Sequence, residues 1–367
     1  MKTLLSCLTV LAVGAALAVG PTTQPKVPAL ALGRVHKNIA CTRDANNHCN
    51  IYVPRGYKAG EPTPVLYVFS PGGNAPVELY SPAADKLGWL VCGSVESRNG
   101  QDWAFYLGAF DAMRAEMAAR FSPHPHRAYF SGMSGGSRVA VELFCREPNS
   151  AAGLLAMAAG RGAPRMEKVP GGACVGIAGR SDYNYSELAS LGDKCAAQDM
   201  ASLFLDFDGQ HGWAPKELVA QAMEWLDAEY FLRSPHLSEA EKAKRPGIIA
   251  ERLKKVAQMG QTMEAYEACE SLHRDLKADE EPLKKVGDLA AALKPKLAAE
   301  LDARAAFREA FAAAGKKTTS YQQTVALQAA VKEMAPKHAG TLYGRRAGFL
   351  ATTLDERLKF YPPELRK

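Results

Sequence analysis

The sequence predicts an α/β chain: a doubly wound, mainly parallel sheet over residues 33–233, then an all-α region over 234–367. Three observations lead there. Pro64–Phe69, Leu154–Ala159 and Cys174–Ala178 are unbroken apolar runs, as expected of strands buried on both faces. Helical stretches alternate with these runs, and that alternation argues for parallel crossovers. From about residue 234 the texture changes: glycine becomes sparse, alanine, lysine, leucine and glutamate dominate, and strand-like runs vanish.

Taken in order, 33–40 and 50–53 read as paired strands ending at Tyr52-Val53-Pro54. The run to Phe69 stops at Ser70-Pro71-Gly72-Gly73-Asn74, and a helix is expected within 76–88. Leu90–Val95 is the next strand, leading into Glu96-Ser97-Arg98-Asn99-Gly100. Residues 102–121 form an amphipathic helix with Phe105, Leu107, Phe110, Met113 and Met117 toward one side. Later strands end at Gly179-Arg180-Ser181-Asp182 and at Asp208-Gly209-Gln210-His211-Gly212-Trp213, and a helix over 215–232 closes the unit. Beyond it, helices are expected over roughly 247–259, 261–278, 282–314, 318–335 and 343–360, punctuated by Pro246, Pro282, Pro295 and Pro336. A ligand site in such a sheet belongs off the carboxyl ends of the strands.

At the N-terminus, Lys2 precedes the apolar Leu4–Val13, and Ala16-Leu17-Ala18 offers small residues at cleavage spacing. This reads as a secretory signal over 1–20 with a linker over 21–32, so a secreted or periplasmic protein is expected. The apolar run is short for a membrane span, so no stable span is expected once the signal is cleaved. Export permits disulfides. Cys41 and Cys49 bracket a turn-rich segment and suit a bridge across a hairpin base, whereas Cys92, Cys145, Cys174, Cys195 and Cys269 cannot be paired from sequence. The net charge is +6. Residues 1–233 balance, so the whole excess lies in 234–367, too dilute and too poor in interleaved aromatics for a nucleic-acid surface.

The most informative stretch is Gly132-Met133-Ser134-Gly135-Gly136, entered from the apolar Ala128–Phe130 and followed by a helical Ser137–Phe144. Gly-x-Ser-x-Gly between strand and helix is the pattern of a nucleophile elbow. The sharp reversal strains the serine backbone, and a Cβ at 132 or 136 would collide with neighbouring elements. A serine hydroxyl needs a base to take its proton and an acid to orient that base. In this fold class they arrive in the order Ser, Asp/Glu, His, and Asp182 and His211 stand at later strand ends. Asp206 and Asp208 are rival acids, and His124 and His126 precede the elbow strand at its wrong end and read as surface residues. An oxyanion hole would draw on the N–H of Gly135 and on Gly72 or Gly73 in the loop after the third strand.

On Val65–Gly73, Glu96-Ser97-Arg98, Gly132–Gly136, Gly179–Asp182 and Gly209–Trp213, residues 33–233 resemble the α/β-hydrolase superfamily. Within it they are similar to exported serine esterases of the poly(3-hydroxybutyrate) depolymerase and feruloyl/acetylxylan esterase type. The resemblance implies a serine hydrolase that cleaves a carboxylic ester through an acyl-enzyme, with Ser134 as nucleophile, His211 as base and Asp182 orienting it. The substrate would be a small-molecule or polymeric ester, with no cofactor and no metal. Such esterases commonly have His-Gly where this chain has Ser70-Pro71, and proline has no N–H to offer. A prolyl-oligopeptidase-like peptidase is one alternative. A catalytically silent fold that binds a protein partner or dimerises through 234–367 is another. The resemblance does not extend to 234–367.

Overall fold

The structure is a computed structural model describing residues 28–160, 166–277 and 279–366. The expected signal at 1–20 and the first part of the linker lie outside the described residues. In chain order the first elements are β1 (Arg34–Cys41), β2 (Asp44–Val53), β3 (Thr63–Phe69), α1 (Ser81–Leu87), β4 (Leu90–Ser94), α2 (Trp103–Arg120), β5 (Pro123–Met133) and α3 (Gly135–Arg146). They continue with β6 (Ala151–Met157), β7 (Ala173–Gly179), α4 (Tyr185–Ala189), α5 (Leu191–Ala196), β8 (Ala201–Phe207) and α6 (Lys216–Arg233).

The eight strands form one sheet in the order β1-β2-β4-β3-β5-β6-β7-β8. β1, β2 and β4 are joined by antiparallel pairs, and every pair from β4/β3 to β7/β8 is parallel. The period of two is plain in β3. Val65, Tyr67 and Phe69 pack with α2 and α3 on one face, while Leu66 and Val68 pack with α1 and α6 on the other. All residues of β3, β6 and β7 are buried, which is why their sequences are unbroken apolar runs.

After α6 the described elements are helical: α7 (Glu239–Lys242), α8 (Arg245–Gln258), α9 (Met263–Asp275), α10 (Glu280–Leu293), α11 (Ala298–Gly315), α12 (Ser320–Lys337) and α13 (Leu342–Lys359). The single helix expected over 282–314 is two, α10 and α11, separated by a tighter 3₁₀ turn over Lys294–Leu297. Pro295 has no N–H to continue the α-helical ladder, and the chain tightens there. Pro336 does not end its helix but sits in the last turn of α12. These helices share a core with the α2/α3 face of the sheet, through Ile249, Cys269, Leu272, Phe307 and Leu350. No helix among the described residues is long and apolar enough to cross a membrane.

The expected Cys41–Cys49 bridge is not formed. In the β1/β2 register Ile39 faces Cys49 and Cys41 faces Asp44, with an irregularity at Ala40/Cys41, so the two cysteines are not opposite each other. Their sulfurs are 4.0 Å apart, about twice the length of an S–S bond. The contact with Cys49, together with burial, holds the Cys41 thiol well above the usual range, and it stays protonated.

Candidate active site

The site sits at the carboxyl ends of β5, β7 and β8. Ser134, between β5 and α3, has φ 54° and ψ −122°, a conformation a residue with a Cβ rarely adopts. The surroundings enforce it. Ser134 N–H donates to Met157 O at 2.9 Å. A Cβ on Gly132 would lie 2.5 Å from the Gly136 carbonyl, and one on Gly136 would lie 2.3 Å from Phe69 O. The two glycines therefore let β5, β3 and α3 approach closely enough to hold the turn.

The structure brings the three expected side chains into one hydrogen-bonded chain. His211 Nε2 lies 2.9 Å from Ser134 Oγ, and His211 Nδ1 lies 2.9 Å from Asp182 Oδ1. A carboxylate only accepts, so Nδ1 carries the proton and Nε2 is free to accept from the serine hydroxyl. Asp182 is fully buried, and its Oδ1 also accepts the Asn184 N–H at 2.8 Å. Its Oδ2 has no hydrogen-bond partner among the described residues. Among the described residues no cation pairs with it, and its charge acts on the imidazole. The loops carrying acid and base are joined to each other: Ser181 N–H donates to Gly209 O at 2.9 Å, and Arg180 N–H to Phe207 O at 2.8 Å.

The rival acids are elsewhere. Asp206 is committed to Arg180, Tyr185 and Arg346, and Asp208 is exposed. His124 and His126 are not plain surface residues. His124 pairs with Glu241 at 3.3 Å, and His126 stacks on His236 with ring centroids 4.0 Å apart. Both contacts tie the amino end of β5 to the segment after α6, away from Ser134.

The oxyanion candidates divide. Gly135 opens α3, so its N–H has no intrahelical acceptor. Gly72 N–H points at Ser70 Oγ at a long 3.3 Å. Gly73 N–H turns back on Ser70 O at 3.5 Å, within the loop itself. A cleft of about 350 Å³ opens beside this loop, lined by Ser70, Asn74, Pro76, Glu78, Leu79, Trp213 and Lys216. A larger cavity of about 980 Å³ lies between β8 and the C-terminal helices, and none of Ser134, Asp182 and His211 lines either of the two.

Other residues at the site carry no linear signature. Tyr183 stacks on the His211 ring at 4.3 Å, and Phe360, just past α13, lies 5.2 Å from Tyr183. Glu187 accepts from Arg138 at 2.9 Å and from Arg357 at 3.0 Å. The last helix thus reaches the acid loop from a region whose sequence resembles nothing in the site. Asn99 lies against Gly135. Only its place in a loop after a strand's carboxyl end could have marked it.

No family model matches the chain, and no curated protein does. Among solved structures, a ferulic acid esterase is 13% identical over 50% of this chain and 92% of its own, with a TM-score of 0.40. An S-formylglutathione hydrolase from Agrobacterium tumefaciens is 17% identical over 53% of this chain and 94% of its own, at 0.38. An esterase from the archaeon Pyrobaculum calidifontis is 12% identical over 54% of this chain and 86% of its own, at 0.41. An antiparallel hairpin leading six parallel strands in this order, with a strained serine raised between the fifth strand and its helix, is the α/β-hydrolase fold, and residues 34–233 have it.

Proposed function

We propose that this protein is a serine hydrolase acting on carboxylic esters. The observation that carries the reading is the continuous Ser134–His211–Asp182 hydrogen-bonded chain on a strained elbow. Positioned groups of this kind convert a weak hydroxyl into a nucleophile.

In the proposed reaction His211 Nε2 takes the Ser134 proton as Oγ attacks the ester carbonyl carbon. The imidazolium is stabilised by Asp182 through Nδ1–H. The tetrahedral oxyanion is met by the Gly135 N–H and by Gly72, whose long contact with Ser70 Oγ is readily exchanged for a charged acceptor. Collapse breaks the C–O bond, and the alcohol leaves with the proton from His211. Water, deprotonated by the same nitrogen, then releases the acid and restores Ser134. The cleft beside Trp213 is apolar enough to take part of a small ester or one end of a polymer chain. The Lys2, Leu4–Val13 and Ala16–Ala18 pattern supports export, so the proposed place of work is outside the cytoplasm.

Hydrolysis of 4-nitrophenyl acetate and butyrate by wild type and Ser134→Ala tests the reading. Wild type should turn over, and the variant should lose at least about 10³-fold in kcat/KM. Equal rates in the two proteins would defeat it.

A further inference from the structure

The loop after β3 offers less to an oxyanion than its length suggests. Pro71 has no N–H, and Gly73 N–H is turned back toward Ser70 O within the loop. That leaves Gly72 and Gly135 as backbone donors. The geometry points to a third donor from another strand end: the side-chain amide of Asn99, serving the oxyanion of the proposed ester hydrolysis. The inference rests on that reading of the site and adds a catalytic residue to it.

Four observations support it. First, the Asn99 carboxamide lies directly on the first residue after the nucleophile. A Cβ on Gly135 would fall 1.7 Å from Asn99 Oδ1, 2.8 Å from Cγ and 3.2 Å from Nδ2. A side chain at 135 would have to displace the Asn99 carboxamide. Second, the Asn99 loop is stitched to the oxyanion loop. Asn99 N–H donates to Pro71 O at 2.9 Å, and Arg98 forms a β-bridge with Gly72. Third, the loop is held from behind. Tyr106 Oη donates to Arg98 O at 2.8 Å, and Asp102 caps α2 by accepting Phe105 N–H at 2.8 Å. Fourth, Asn99 is exposed beside the elbow, so its carboxamide is open to an entering ester.

A primary amide carried by an anchored loop beside Gly135, the first residue of α3, is suited to developing negative charge. In the resting geometry Oδ1 faces Gly135. Rotation about χ2 exchanges Oδ1 and Nδ2 without moving the loop, so an arriving oxyanion can draw the N–H groups toward itself. The donor is mounted before the reaction and costs no reorganisation of the backbone.

The test uses the full-length protein and three variants: Asn99→Ala, Asn99→Asp and Ser134→Ala. Removing one oxyanion donor should lower kcat for 4-nitrophenyl acetate by about 10²–10³-fold in Asn99→Ala. KM should stay within about three-fold, because the interaction is made in the transition state. Inhibition by phenylboronic acid, which forms a tetrahedral adduct on Oγ, should weaken at least about ten-fold. Asn99→Asp keeps the shape, loses the donors and adds a like charge, so it should lose at least as much. It carries the test if Asn99→Ala shifts the urea midpoint. A merely structural Asn99 would move stability without separating kcat from KM. A kcat within about three-fold of wild type in both variants, with Ser134 still labelled by a fluorophosphonate, would overturn the role of Asn99 alone. A wild type that neither labels nor turns over would overturn the ester-hydrolase reading with it.

Discussion

The strand-end loops of the sheet region and the packed helices of the C-terminal region use polar groups differently. In residues 34–233, polar side chains at strand ends keep hydrogen-bonding capacity: Ser134 Oγ on an imidazole, Asp182 Oδ2 with no partner among the described residues, and an exposed Asn99 amide. In residues 239–365, and where α6 packs on them, buried ionisable groups sit in pairs. Arg304 holds Glu270, and α6 residues Arg233 and Glu229 are paired by Asp275 and Arg252 from α9 and α8. The first pattern is the one chemistry requires. The second compensates the burial of ionisable groups between packed helices.

The two regions meet where each compensates for the other. β8 is an edge strand whose Leu203, Phe204 and Leu205 are only half-buried, a liability for any sheet. Arg346 of α13 reaches it, donating to Asp206 at 3.3 Å and to Phe204 O at 3.5 Å. Eleven residues further on, the same helix places Arg357 on Glu187, at the acid loop. The helical region therefore covers the edge of the sheet and touches the site with its final turn.

Substitutions that probe backbone closeness should separate the regions most strongly. Gly136→Ala places a Cβ 2.3 Å from Phe69 O, against main chain that has nowhere to go. Its urea midpoint should fall by the equivalent of about 3 kcal/mol or more. An unchanged midpoint would mean that the elbow is not close-packed as described.

The seam between the regions should show a smaller, pH-dependent effect. Glu229, fully buried beside Asp275, has its carboxyl pushed up by burial and by that neighbouring charge, to about 8. Its folded value thus exceeds its unfolded one of about 4.3. The associated stability is fully present below pH ~4 and is lost as pH rises toward ~8. Glu229→Gln keeps an acceptor for Arg252 and removes the titration. The thermal midpoint of wild type should drop between pH 5 and 8, and that of the variant should drop less. Parallel curves would contradict the assignment.

The smallest effect belongs to the helical region alone. Gly348 lies within α13, with nothing within 4 Å of where a Cβ would be. Gly348→Ala should stabilise by about 0.5–1 kcal/mol, read as a higher urea midpoint. A loss there would mean that α13 is packed on that face.

Much of the sheet and site was legible because the physics acts locally. Strands buried on both faces must be apolar throughout, so Val65–Phe69 and Cys174–Ala178 identified themselves. A strained serine needs glycines at 132 and 136, and strand ends carry function, which pointed to Asp182 and His211. What escaped notice depends on register or on long-range contact. Whether Cys41 lies opposite Cys49 turns on strand register, which gives that place to Ile39. Asp206, a rival acid by position, is held by Arg346, 140 residues later in the chain. Asn99, Tyr183 and Phe360 reach the site from three separate segments, and no spacing links them.

The central claim is that Ser134 is an activated nucleophile, and mass spectrometry after reaction with a fluorophosphonate tests it most directly. The account predicts a single adduct on folded wild type, mapped to the peptide containing Ser134, and none on Ser134→Ala. Equal labelling of the two proteins, or a folded wild type that stays unlabelled, would contradict it.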